Sequence, residues 1–174
     1  RAVPSGFHAR YSALARTYRY VILNRPVRSA LDRHRAWQLR VPIDATLMQI
    51  AASHLVGEHD FSSFRAAGCQ SKNPVRRIEA LEVVRHGDHV VIEVRANGFL
   101  YHMVRNIVGS LVRAGRGEAD PGWLGELLAL KDRRVAAPTA PSAGLYLAAV
   151  HYPEAFALPL PASRPVWAAE WRDR

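Results

Sequence analysis

Two strand-like segments joined by a glycine turn constrain the fold of this chain most tightly. Ile78 to Arg85 and Val90 to Ala96 are rich in β-branched residues and meet through His86-Gly87-Asp88, a sequence suited to a hairpin. In the second segment Val90, Ile92, Val94 and Ala96 alternate with His89, Glu93 and Arg95, and only Val91 breaks the polar face. Such a hairpin has an apolar face that something else must cover. The rest of the chain supplies the cover. Thr17 to Leu23 is a third strand. Asp44 is placed to cap a helix whose Leu47, Ile50, Ala51 and Leu55 recur at helical spacing until Gly57 stops it. Leu100, Met103, Val104, Ile107, Val108 and Leu111 form the apolar stripe of a longer helix running to about Ala114. Pro121-Gly122 opens a shorter helix through Leu130, and Leu145 to Tyr152 is a last strand. The order β-α-β-β-α-(α)-β predicts an α+β fold of the ferredoxin-like, split βαβ kind, with helices on one face of a largely antiparallel sheet.

Residues 1–153 are expected to form this unit, and 154–174, with Pro159, Pro161 and Pro165, a surface-wrapping tail. A chain of 174 residues, 49% hydrophobic and 22% charged, can bury a core of that size and is not a disordered sequence. No apolar run approaches the length of a membrane span.

The formal net charge is +9, and Lys72 and Lys131 are the only lysines. Arginine therefore carries nearly all the positive charge; its planar fork suits phosphate and its face stacks on bases, which points to nucleic acid. Cys69 is the single cysteine, which excludes an intrachain disulfide and a Cys-based zinc site and fits a reducing cytoplasm. The eight histidines lack metal-ligand spacing, so no metal site is expected.

Four clusters could carry chemistry. Basic and aromatic residues interleave from Phe7 to Tyr20, where Arg can grip phosphate and Tyr can stack on an unpaired base, although Tyr18, Tyr20 and Ile22 share a strand face and can equally pack. Glu58, His59 and Asp60 look like an acid–base set, but neighbours in a loop rarely aim at one atom; Asp60 suits a turn cap, and Phe61 and Phe64 suit core anchors. In the stretch from Asn97 to Gly109, Arg105 falls at the flank of the apolar stripe near Val108 and Val112, where a guanidinium can stand at the edge of a cleft. Ala140 to Leu147 places small residues and a glycine before a strand, which permits close backbone approach.

The stretches FHARYSALARTYRY, GEHDFSSF, CQSKNPVRRI, ANGFLYHMVRNIVGSL, LALKDRR and APSAGLYL, in this order from about residue 3 to 153, resemble the TruA family of tRNA pseudouridine synthases. The resemblance implies isomerisation of uridine to pseudouridine at positions 38–40 of the tRNA anticodon arm by a cytoplasmic homodimer without a cofactor. It also implies roles for three residues. Tyr18 resembles the tyrosine that stacks on the target base, Arg105 the basic residue that pairs with a nucleophilic aspartate, and Leu145 the apolar residue lining the uracil pocket. Chemistry of this kind needs a carboxylate at the ribose or base and a shaped pocket that retains the detached ring. An arginine beside the carboxylate keeps it ionised.

The family's aspartate lies in an R-T-D-x-G-V-H-A block, and none of Asp32, Asp44, Asp60, Asp88, Asp120, Asp132 or Asp173 has that context. The chain is therefore expected to be a C-terminal portion that cannot form pseudouridine alone. The competing expectation is a non-catalytic RNA-binding module on a ferredoxin-like sheet. Against an RRM, Val90 to Ala96 contains no aromatic residue.

Overall fold

The expected hairpin forms β4 (Val75–His86) and β5 (His89–Ala96), turned by Gly87 at φ 54°, in the computed structural model, which describes residues 3–4 and 6–158. β1 (Ala15–Asn24) lies antiparallel to β5, and β6 (Leu145–His151) lies antiparallel to β1 on its other edge. The four long strands thus run in the spatial order β6-β1-β5-β4, the split βαβ arrangement predicted from the sequence. Two short strands extend it to six: β2 (Trp37–Leu39) runs parallel to the end of β1, and β3 (Gly57–Asp60) pairs with the start of β4. Because β2 meets β1 at Ile22–Asn24 and β6 meets it at Ala15–Tyr20, the two share one edge without competing.

α1 (Ala45–Ser53) begins where expected: the Asp44 carboxylate accepts the amides of Thr46 and Leu47. Its buried face is Met48, Ala51 and Ala52, continued by Leu55 just past its end; Ala51 and Leu55 belong to the expected stripe, while Leu47 is half-buried and Ile50 exposed. The helix also ends before Gly57, whose φ of 113° instead turns the chain into β3.

α2 (Met103–Gly115) carries the predicted stripe fully buried, but it starts three residues later than Leu100 because His102 takes a left-handed conformation at its N-terminus. It is the central helix. Every position except Arg105 and Arg113 is buried, Asn106 and Ser110 included. α3 (Trp123–Leu130) contributes Leu124 and Leu127 to the same core.

The inner faces of β1, β5 and β4 meet these helices through Tyr20, Ile22, Val90, Ile92, Val94, Ile78, Leu81 and Val83, joined by Phe61 and Phe64 from the turn after β3. Val91, the odd apolar residue of the polar face, sits opposite Val21 of β1 and Val84 of β4. On that side Val21 and Leu23 pack with Ala36 and Tyr146. At the chain's two ends Phe7 packs on Tyr152 and Phe156. Most of the expected tail, 159–174, lies outside the described residues.

The closest backbone approach is at Gly109 of α2, where an added Cβ would stand 2.1 Å from the Pro138 carbonyl oxygen. Gly109→Ala is expected to lose about 2–3 kcal/mol, because backbone cannot yield as a flexible side chain would. Gly125→Ala of α3, whose Cβ would meet His54 at an ordinary 3.6 Å, is expected to hold stability or raise it by up to about 1 kcal/mol, the helix-propensity gain. Urea titrations of the two variants at equal slope check the contrast.

Candidate active site

Arg105 lies in the first turn of α2, beside the segment that leads into β6. Its Nε donates to the Ala140 carbonyl at 2.7 Å, while the Ala140 amide donates back to the Arg105 carbonyl at 3.1 Å. Its Nη1 lies 3.3 Å from Nε2 of His102. Among the described residues no carboxylate forms an ion pair with Arg105.

The segment holding Arg105 is itself fastened to α2 and β1. Next along α2, buried Asn106 donates to the Phe64 carbonyl at 2.7 Å, and its Oδ1 accepts from the Thr139 hydroxyl at 2.6 Å and from Arg133 at 3.1 Å. One turn further on, Gly109 admits the Pro138 carbonyl. From the sheet side, the Tyr20 hydroxyl donates to the Pro141 carbonyl at 2.7 Å. Gly144, at φ 99°, then lets the chain pass under the Val21 carbonyl into β6; a Cβ there would be 2.4 Å from that oxygen.

Tyr18 and Tyr20 lie on the helix-facing side of β1, with Leu147 and Leu145 of β6 as their respective register partners. Tyr20 is completely buried. Burial pushes its hydroxyl pKa up, partly offset by the nearby Arg105 charge, so it remains a protonated donor. Tyr18 is only half-buried and packs edge-to-face on Phe99, with ring centroids 5.0 Å apart. Leu145 is half-buried against the core, and Leu147 is 55% exposed. Leu145 thus stands opposite Tyr20 with Tyr18 two residues along β1 on the same face, and Arg105 meets this side through Ala140, next to the Pro141 carbonyl that Tyr20 holds.

The remaining clusters serve mainly as structure. Asp60 accepts from both the amide and hydroxyl of Ser62, capping the turn over residues 62–64, and lies 3.4 Å from Lys131. Burial would raise its pKa, but these hydrogen bonds and Lys131 together hold it below the usual carboxylate value. His59 bonds the Val56 carbonyl, and Phe61 and Phe64 are core anchors. In the first cluster, His8 Nδ1 accepts the amides of Arg10 and Tyr11, folding a turn ahead of β1.

Sequence reasoning missed His102, Asn106 and Thr139. For Asn106 the one available signal was a polar residue inside an apolar helix pattern. It also missed how CQSKNPVRRI joins the site: the Tyr101 amide donates to Cys69 Sγ at 3.4 Å, and Asn97 Oδ1 accepts the Arg77 amide at 3.0 Å.

The fold and the site define a basic α+β domain with a tyrosine-lined sheet face beside a clasped arginine. The model of a family described as tRNA pseudouridine synthase matches residues 51–153. Relatives called tRNA pseudouridine synthase A are 55% identical over 152 residues in Methylococcus capsulatus, 50% over 170 in Citrobacter koseri and 48% over 175 in Paraburkholderia xenovorans. These matches cover 87%, 98% and 100% of this chain but 56%, 63% and 65% of the relatives. The chain belongs to the tRNA pseudouridine synthase family. It spans less than two thirds of the length of these three relatives.

Asn106→Ala should cost about 2–3 kcal/mol, since it leaves the Phe64 carbonyl and the Arg133 guanidinium with unmet hydrogen bonds. Thr139→Ser keeps the bridging hydroxyl and is expected to lose far less. Thermal unfolding of both variants checks this.

Proposed function

We propose that this chain forms the arginine, tyrosine and pocket side of a site that isomerises uridine to pseudouridine in tRNA. In this proposal the nucleophilic carboxylate comes from residues outside these 174. The observation that carries it is Arg105: a guanidinium fixed by a neutral carbonyl and a histidine, with no carboxylate partner among the described residues. A charge held this firmly in a partly buried place has a use for an anion. The family membership of the segment that bears it supplies the anion's chemistry.

The reaction breaks the bond between ribose C1′ and uracil N1, turns the ring, and joins C1′ to C5. The C5 proton leaves to solvent and N1 gains one, so no oxidant or reductant enters. Arg105 holds the carboxylate ionised and oriented for its attack on ribose or base. Tyr18, braced by Phe99 and still half-exposed, offers a ring on which the flipped-out base stacks. Leu145 walls the pocket that keeps the detached uracil from drifting into water. The anticodon arm as the docking region, uridines 38–40 as the targets, a cytoplasmic location and a homodimeric assembly extend the same proposal and rest on the resemblance of the motif blocks.

A simple RNA-binding module is less well supported. An RRM stacks bases on aromatics of its sheet strands. Here the face away from the helices carries the ion pairs Arg19–Glu93 and Arg95–Glu79 beside Val21 and Val91.

Tritium release from tRNA labelled at uracil C5 tests the proposal in a protein that combines this chain with the carboxylate-bearing segment. Arg105→Ala should lower turnover about a hundredfold or more, while Tyr18→Phe, which keeps the stacking ring, should lose much less than Tyr18→Ala. Normal release by both Arg105→Ala and Tyr18→Ala would remove the basis for the assignment.

A further inference from the structure

We propose that His102 is a positioning residue for Arg105: as a neutral imidazole it accepts the Nη1 hydrogen and fixes the guanidinium, leaving Nη2 to meet the incoming carboxylate. The inference rests on the active-site reading above and adds a residue to it.

The hydrogen-bond chemistry is one-directional. A guanidinium has only donors, so at 3.3 Å from Arg105 Nη1 the His102 Nε2 must be the acceptor and therefore bare, with the proton on Nδ1. The backbone is arranged around this contact. His102 stands at the N-terminal cap of α2 with φ 57° and ψ 10°, a left-handed conformation unfavourable for a residue with a side chain, yet that side chain caps no helix amide. The ring is also held in place: Tyr101 stacks on it with centroids 4.0 Å apart and 24° between planes.

The charged group facing His102 is Arg105, Tyr101 covers the ring, and no described carboxylate forms an ion pair with the imidazole. Burial lowers the His102 pKa, and Arg105 lowers it further, which keeps the acceptor neutral. The sign follows directly. Because the folded pKa lies below the ordinary histidine value, the neutral acceptor persists at neutral pH and is lost as pH falls through that depressed pKa. A protonated ring would offer Arg105 no lone pair and would repel it, so turnover gains an acidic limb that belongs to His102.

Two variants test this in the protein with the complete site. His102→Gly places the residue most at home at φ 57°, so its melting temperature should hold or rise, while kcat falls about tenfold. His102→Gln offers an amide oxygen that accepts without titrating; it should recover much of kcat and shift the acidic limb away from the His102 range. Nitrogen NMR of the His102 ring should show the proton on Nδ1. Unchanged kcat and an unchanged pH profile in both variants would overturn the inference, as would a proton on Nε2. So would a His102→Gly protein that loses stability but keeps wild-type turnover per folded molecule. If Arg105→Ala is inactive while His102→Gly is normal, only this inference fails. If Arg105→Ala is itself active, the active-site reading fails first.

Discussion

The clasp between α2 and residues 138–141 is the constraint on which the rest of this site depends. Three successive contacts from α2 make it, Gly109 against the Pro138 carbonyl, Asn106 to Thr139 and Arg105 to both polar groups of Ala140, and Tyr20 of β1 adds a fourth to the Pro141 carbonyl. The first is a close steric fit that only a glycine allows, and the others are hydrogen bonds. Since α2 is buried at nearly every position, the clasp fixes the segment to a helix packed on almost all sides. Arg105 is thereby held in place by packing that lies mostly outside the site.

The same contacts explain how distant motifs act together. Arg133 reaches Asn106 from LALKDRR, Lys131 reaches Asp60, and the Phe64 carbonyl receives Asn106 from the helix. Three sequence blocks converge on one buried asparagine. Tyr20 completes the circuit from the sheet, where its neighbours Tyr18 and Leu145 line the helix-facing side. Electrostatics then sharpen the arrangement. Burial keeps the Tyr20 hydroxyl protonated, so it donates to the Pro141 carbonyl instead of standing as an anion that would compete with a carboxylate for the arginine.

Much of the fold was legible because its long elements repeat a period. The hairpin alternation, the α2 stripe and the Asp44 cap each rest on local chemistry that tertiary contacts then used. β2 was illegible because three residues show no period, and its pairing is dictated by the distant end of β1. β3 contains Gly57 and Asp60, poor strand formers, and exists through its ladder with β4. In α1 half of the stripe, Ala51 and Leu55, was legible, and Leu47 and Ile50 were not, because they are more hydrophobic than Ala52 while the close helix packing accepted the smaller residue. The site divides in the same way. Arg105 could be placed at the flank of the apolar stripe from its position on the wheel, but the carbonyls and the histidine that hold it come from backbone geometry that no spacing encodes.

A structure of this chain together with the segment carrying the R-T-D-x-G aspartate would measure the central claim directly, in the distance from that carboxylate to Arg105. A carboxylate oxygen within about 3 Å of an Arg105 Nη, with the Ala140 and His102 contacts retained, is the predicted result. A carboxylate seated elsewhere, with Arg105 turned away from it, would contradict the account.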